Sequence, residues 1–160
     1  MAKNTGDLKR TVYKYLRDGV KSNYTYGPCC QVCGSTEDLE LHHPHSFSLM
    51  FDKFCEERGI TVTTQEEVFA IRDVFYQEYW EELVVDVLTL CNTHHKALHK
   101  VYGNIPPLST ANKQKEWVQR IRDKNEGKES HSSAERNEQS YFSSLIPKGT
   151  PTSFSDFIRR

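Results

Sequence analysis

No apolar run in this chain approaches the roughly 18 residues that a membrane span requires, and the opening MAKNTGDLKR has none of the apolar stretch of a secretory leader. Both absences point to a soluble, cytoplasmic protein without a membrane partner. There is no internal repeat, which sets aside repeat architectures. Cysteine is scarce and odd in number, five in 160 residues with one pair in a C-x-x-C. That usage suits metal binding in a reducing compartment better than a disulfide framework. Net positive charge is missing too: the formal total is -1, although Lys and Arg neutralising phosphates supply most non-specific affinity for nucleic acid. The average conceals an asymmetry. From Asp52 to Asp86 ten acids face three bases, whereas Met1 to Tyr26 carries six bases against two acids, and Ala111 to Lys124 is basic again. Basic ends around an acidic middle remain compatible with DNA as a partner.

The length allows one ordinary domain, placed at residues 1–124. Asn125 to Ser140 has Ala134 as its only aliphatic residue and is expected to be a disordered linker. The tail 141–160 regains Phe142, Leu145, Ile146, Phe154, Phe157 and Ile158, which either dock back on the domain or bind a protein partner. Within the domain, apolar spacing predicts a helix from Thr5 to Arg17 ended by Gly19. Its other face shows Lys9, Arg10, Lys14 and Arg17, either solvated or turned toward phosphate. Alternation at Leu39 and Leu41 predicts a short strand ending at histidines. A helix follows from Ser48 to Arg58, closed by Gly59, and Thr64-Gln65-Glu66-Glu67 is a capping box opening another through about Tyr79. The β-branched run Val84 to Leu90 predicts a second strand. From His94 a helix runs to Gly103, and beyond Pro106 and Pro107 lies another, capped by Ser109 or Thr110, with Trp117 and Ile121 to pack and Lys113, Lys115, Arg120 and Arg122 in water.

What the chain does have is histidine in two clusters. His42, His43 and His45 lie in LHHPHS, His94, His95 and His99 in LCNTHHKALHK, and only His131 falls elsewhere. A structural zinc site wants four Cys or His ligands in two tight pairs. Cys30 and Cys33 form one, and Cys91 with His94 repeats the same gap, so these four suit a Cys3His zinc site tying the two strands together; Cys29 is a substitute for Cys30, and Cys55 looks like core. His95 and His99, four apart on a helix, share one face and can hold a second ion. Successive strand residues His42 and His43 point to opposite sides. If the backbone turns at Pro44, one can join that ion while the other is left to act as a base.

LELHHPH and DVLTLCNTHHKALH resemble the HNH endonucleases, a family built on a ββα-metal finger in which a His-His or Asp-His pair ends the first strand and a metal-binding His opens the helix. The resemblance covers mainly Cys29 to Gly103. It implies an α+β fold, a ββα-metal finger stabilised by structural zinc with flanking helices and a flexible C-terminal tail. It also implies metal-dependent hydrolysis of DNA phosphodiester bonds, of a phage or mobile-element type acting in the host cytoplasm. Carried over, His42 is a metal ligand, His43 the general base, His95 a metal ligand and His99 a further ligand or phosphate contact. Two positions depart from the family pattern: Asp86 stands where Asn is usual, and His94 where a second Cys is usual. Asp86 would orient His43 as a carboxylate or become a ligand. Mg²⁺, Mn²⁺ or another divalent ion would serve catalysis, with Lys9, Arg10, Lys14, Lys96, Lys100, Lys113 and Arg120 as candidate DNA contacts. The competing expectation is a non-catalytic zinc-stabilised module that binds DNA or protein and recruits a partner through the tail.

Overall fold

In a computed structural model the backbone is described for residues 5–127, with side chains from residue 10 onward. The linker from residue 128 and the tail 141–160 lie outside the described residues, as does the side chain of Lys9.

The architecture is α+β. Helix α1 (Thr5–Val20) leads through a 3-10 turn to strand β1 (Leu39–His42). Helices α2 (Phe47–Arg58) and α3 (Gln65–Glu78) and a π-helical turn (Glu81–Val85) follow, then strand β2 (Leu88–Cys91), α4 (Asn92–Tyr102) and α5 (Ala111–Asn125). The strands pair antiparallel, Leu39 opposite Cys91 and His42 opposite Leu88, so the two motif segments are brought together although all of α2, α3 and the π-helical turn lies between them in the chain.

Two apolar cores divide the molecule. In the first, Val12, Leu16 and Val20 at four-residue spacing on α1 meet Phe47, Met50, Phe51 and Phe54 of α2 and Val68, Phe75 and Tyr76 of α3. Its centre is aromatic: Phe75 sits edge-on to Phe47, Phe51 and Phe54 at centroid distances of 5.2–5.8 Å, the geometry that aligns ring edges with ring faces. The predicted capping box is present, Thr64 accepting from the Glu67 backbone and Glu67 reaching back to Thr64 N. In the second core, Cys30, Val32, Leu88, Leu90, Leu98, Trp117 and Val118 bring the C-x-x-C turn, β2, α4 and α5 together. Among the described residues no helix is long and apolar enough to cross a membrane.

Three local expectations change. Gly19 does not end α1, which continues to Val20. A Cβ at Gly19 would lie 2.2 Å from the Tyr76 hydroxyl, which donates to Leu16 O at 2.6 Å. The glycine is there to let α3 approach. Gly19→Ala should therefore displace Tyr76 and cost about 1–3 kcal/mol through overpacking and the lost buried bond, read as a lower urea midpoint; an unchanged midpoint would remove this explanation.

The apolar run after Glu82 is not a strand throughout. Leu83, Val84 and Val85 are all buried in the first core, and the bond from Asp86 N to Glu81 O at 2.7 Å spans five residues, the mark of a π turn. A continuous apolar run has no periodicity to distinguish the two, and only Leu88–Cys91 pairs. Finally, neither Ser109 nor Thr110 caps α5 by a side-chain bond. Thr110 Oγ1 instead donates to Pro107 O and accepts from Gln114 Nε2.

Candidate functional site

The C-x-x-C turn is closed by Cys30 N donating to Ser35 O and Gly34 N to Cys30 O. Gly34 at φ 74 supplies the left-handed residue this tight reversal needs. Cys91 ends β2 and Asn92 starts α4, so Cys91 and His94 face the turn. Cys33 Sγ lies 3.9 Å from Cys91 Sγ, and His94 Nδ1 is 3.8 Å from Cys30 Sγ and 3.2 Å from Cys91 Sγ. A tetrahedral ion with bonds of about 2.3 Å has ligand edges of about 3.8 Å, so the donor set has zinc's size and chemistry: Cys30, Cys33, Cys91 and His94 could hold a zinc ion. Burial disfavours the Cys30 thiolate, but hydrogen bonds from the backbone at Cys91, Cys33 and Val32 outweigh it and lower the pKa. Cys30 rather than Cys29 joins the group, and all five cysteines are free of disulfides.

One residue along α4, the second cluster forms. His95 Nε2 lies 3.1 Å from His42 Nδ1 and 3.0 Å from His99 Nε2. The opposite nitrogen of each ring faces an acceptor: His42 Nε2 the Gln114 amide oxygen at 2.7 Å, His95 Nδ1 the Glu40 carboxylate, His99 Nδ1 the Gly103 carbonyl at 2.7 Å. Those acceptors cannot switch roles. Glu40 also accepts from Asn92 Nδ2 at 2.7 Å, and its pKa is lowered chiefly by the His95 and Asn92 bonds. With the outward nitrogens donating to these acceptors, the inward nitrogens of His42 and His99 each face that of His95 at hydrogen-bond distance. The three rings could hold a metal ion, and edges of about 3.0 Å match adjacent corners of an octahedron with bonds of about 2.1 Å. Burial, with the neighbouring rings, pushes His42 down to about 4, so His42 is neutral and ready to ligate.

His43 leaves the strand and turns the other way, as the alternation predicts. Its ring lies 5.2 Å from Tyr24 and 6.2 Å from Phe47, and Nε2 donates to Leu83 O at 3.1 Å. The helical insert thus walls in the histidine, with a carbonyl of the π turn as its anchor. Burial holds the imidazole at about 4 against the pull of that carbonyl.

Asp86 is engaged elsewhere. Its carboxylate pairs with His45 Nε2 at 3.2 Å and Lys115 Nζ at 2.5 Å, so the expected orientation of His43 by Asp86 is replaced by the Leu83 carbonyl. Burial would raise the Asp86 carboxyl, but hydrogen bonds from His45 and Lys115 outweigh it and hold the pKa below the ordinary value. This pairing fastens α5 to the turn after β1. Asp86→Asn should cost about 1–3 kcal/mol of stability, less than a fully buried pair because both side chains keep some exposure, while cleavage of DNA stays within about tenfold. A cleavage loss of 10³-fold in a folded variant would return Asp86 to the chemistry.

Of the remaining candidates, Arg10 and Lys14 on α1, Lys96 and Lys100 on α4, and Lys113 and Arg120 on α5 are exposed. Sequence reasoning missed Glu40, Gln114 and the Leu83 and Gly103 carbonyls. Glu40 had a signal, since residues two apart share a strand face and put it beside His42. Gln114 had none.

Fold and site define an α+β protein in which consecutive residues of α4, His94 and His95, each join a separate cluster of side chains that could hold a metal ion. The chain belongs to the nicking endonuclease family, whose model, bearing the name of the phage T5 nicking endonuclease, matches residues 1–143. It is accordingly a phage DNA endonuclease. No solved structure matches it.

Proposed function

We propose that the chain is a metal-dependent HNH endonuclease that nicks duplex DNA. The observation that carries this reading is the convergence of His42 Nδ1, His95 Nε2 and His99 Nε2, each ring held by an outward hydrogen bond. In the proposed roles His42, His95 and His99 hold one divalent ion. His43, anchored through Nε2, presents the lone pair of Nδ1 as general base and takes a proton from the water that attacks phosphorus. When bound, the ion supplies charge stabilisation to the phosphorane and to the departing 3′ oxygen. The departing 3′ oxygen takes its proton from solvent water, and the products carry 5′-phosphate and 3′-hydroxyl ends. Lys9, Arg10, Lys14, Lys96, Lys100, Lys113 and Arg120 are the proposed phosphate contacts. A ligand set of three neutral nitrogens and no carboxylate favours Mn²⁺, Ni²⁺ or Zn²⁺ over Mg²⁺. One base and one ion site cut one strand per engagement, in keeping with the family's description.

Supercoiled plasmid with Mn²⁺ is the test. Conversion to open circle before any linear form is expected, with His95→Ala at wild-type zinc content about 10²-fold slower or worse. Full activity in chelator, or from His95→Ala, would rule out the metal assignment.

A further inference from the structure

Gln114 lies on α5, beyond the segment that carries the nuclease motifs, yet it is fully buried and all its polar atoms are used. Its amide oxygen accepts from His42 Nε2 at 2.7 Å, while its amide nitrogen donates to Pro44 O at 3.0 Å and to Thr110 Oγ1 at 2.9 Å. The two donations settle the amide's orientation: exchanging oxygen and nitrogen would set an N–H against the His42 nitrogen and leave the Pro44 carbonyl facing an oxygen. A buried amide with no freedom to flip therefore presents only an acceptor to His42.

From this we infer that Gln114 is a positioning residue of the metal centre, selecting the Nε2–H tautomer of His42 so that the Nδ1 lone pair is the one turned toward His95 and His99. The inference rests on the metal-dependent reading above. Its logic is that of groups behind metal ligands generally: a hydrogen bond to the non-ligating nitrogen fixes tautomer and ring angle, and its loss lowers metal affinity about 10–100-fold. The same residue grips the turn at Pro44, one position from His43. Through the Pro44 bond α5 controls where the chain leaves β1, and so the divergence of His42 toward the ion site and His43 toward Leu83. Glu40 is near in sequence to the ligand it serves; Gln114 is 72 residues from His42, and makes α5 an integral wall of the site.

The test uses the full-length zinc-loaded protein. Gln114→Met keeps the volume and removes the acceptor; Gln114→Glu keeps an oxygen facing His42 while giving up the donation to Pro44 O, so it isolates the acceptor from the grip on the turn. The ¹⁵N shifts of the His42 ring, recorded without added metal, report the tautomer directly, and calorimetric titration with Mn²⁺ reports the affinity. In the wild type His42 should show Nε2–H. In Gln114→Met it should lose that preference and Mn²⁺ affinity should fall at least about tenfold, with zinc content unchanged, and both should recover in Gln114→Glu. An unchanged tautomer or affinity in Gln114→Met, or equal loss in both variants, would reduce Gln114 to packing. If the methionine variant does not fold, Gln114→Glu decides, since an Nδ1–H tautomer there overturns the inference. Should wild-type protein bind no Mn²⁺, the metal reading fails, while the ring shifts still report whether Gln114 governs His42.

Discussion

Replacing His43 by alanine should slow plasmid nicking by about 10²–10⁴-fold, the usual contribution of a positioned base, with zinc content and DNA affinity at wild-type levels. The size follows from the setting. Tyr24, Phe47 and the Leu83 carbonyl fix the ring, so the imidazole is held in one orientation that alanine cannot supply. The same setting predicts the pH dependence. A base works unprotonated, and burial places this imidazole at about 4 rather than at its ordinary value near 6.5. The rate under fixed Mn²⁺ should therefore show no inflection near 6.5 and decline only as pH falls toward about 4. Retained cutting by His43→Ala would dismiss the base assignment, and an inflection at 6.5 would place the titrating ring in water.

The second large effect is loss of zinc. Structural zinc sites in small fingers contribute roughly 10–16 kcal/mol of apparent binding energy at neutral pH, comparable with the whole stability of an ordinary domain. Here the four ligands join the C-x-x-C turn to the β2–α4 junction, and the second core around them contains eight buried residues, too few to hold that junction unaided. Stripping zinc, or Cys91→Ser, should unfold this part and abolish Mn²⁺ binding along with it, because His94 and His95 are neighbours on α4 and an ion held through His94 would set the helix that carries His95. Fluorescence of Trp117, in the second core, should report the loss, while Trp80, in the first, should change less. Nicking should return on adding zinc with Mn²⁺ but not Mn²⁺ alone. A chelated protein with its thermal transition intact would remove zinc from the fold.

Much of this was legible because it is local. The pairing of Cys30 with Cys33, Cys91 with His94 and His95 with His99 is set by spacing within one turn, and such geometry survives whatever surrounds it. The capping box at Thr64 and the stop at Gly59, whose φ is 60, are short-range in the same sense. Gly19 and the run at Leu83 to Val85 differ from their local pattern for the complementary reason. A glycine within a helical pattern reads as a stop unless the helix packed against it is known, and a fully buried apolar run reads as strand or helix alike. Asp86 shows the limit most clearly: its place in the motif suggested His43, but charge on α5 was closer.

Spacing alone shows which residues could hold metal and how they group. Tertiary structure decided which nitrogen of each ring faces inward, what holds His43, and that Gln114 and Lys115 of α5 reach His42 and Asp86. The reason is physical. Ligand spacing is a property of backbone geometry over three or four residues, whereas tautomer, burial and charge pairing depend on atoms that arrive from elsewhere in the chain.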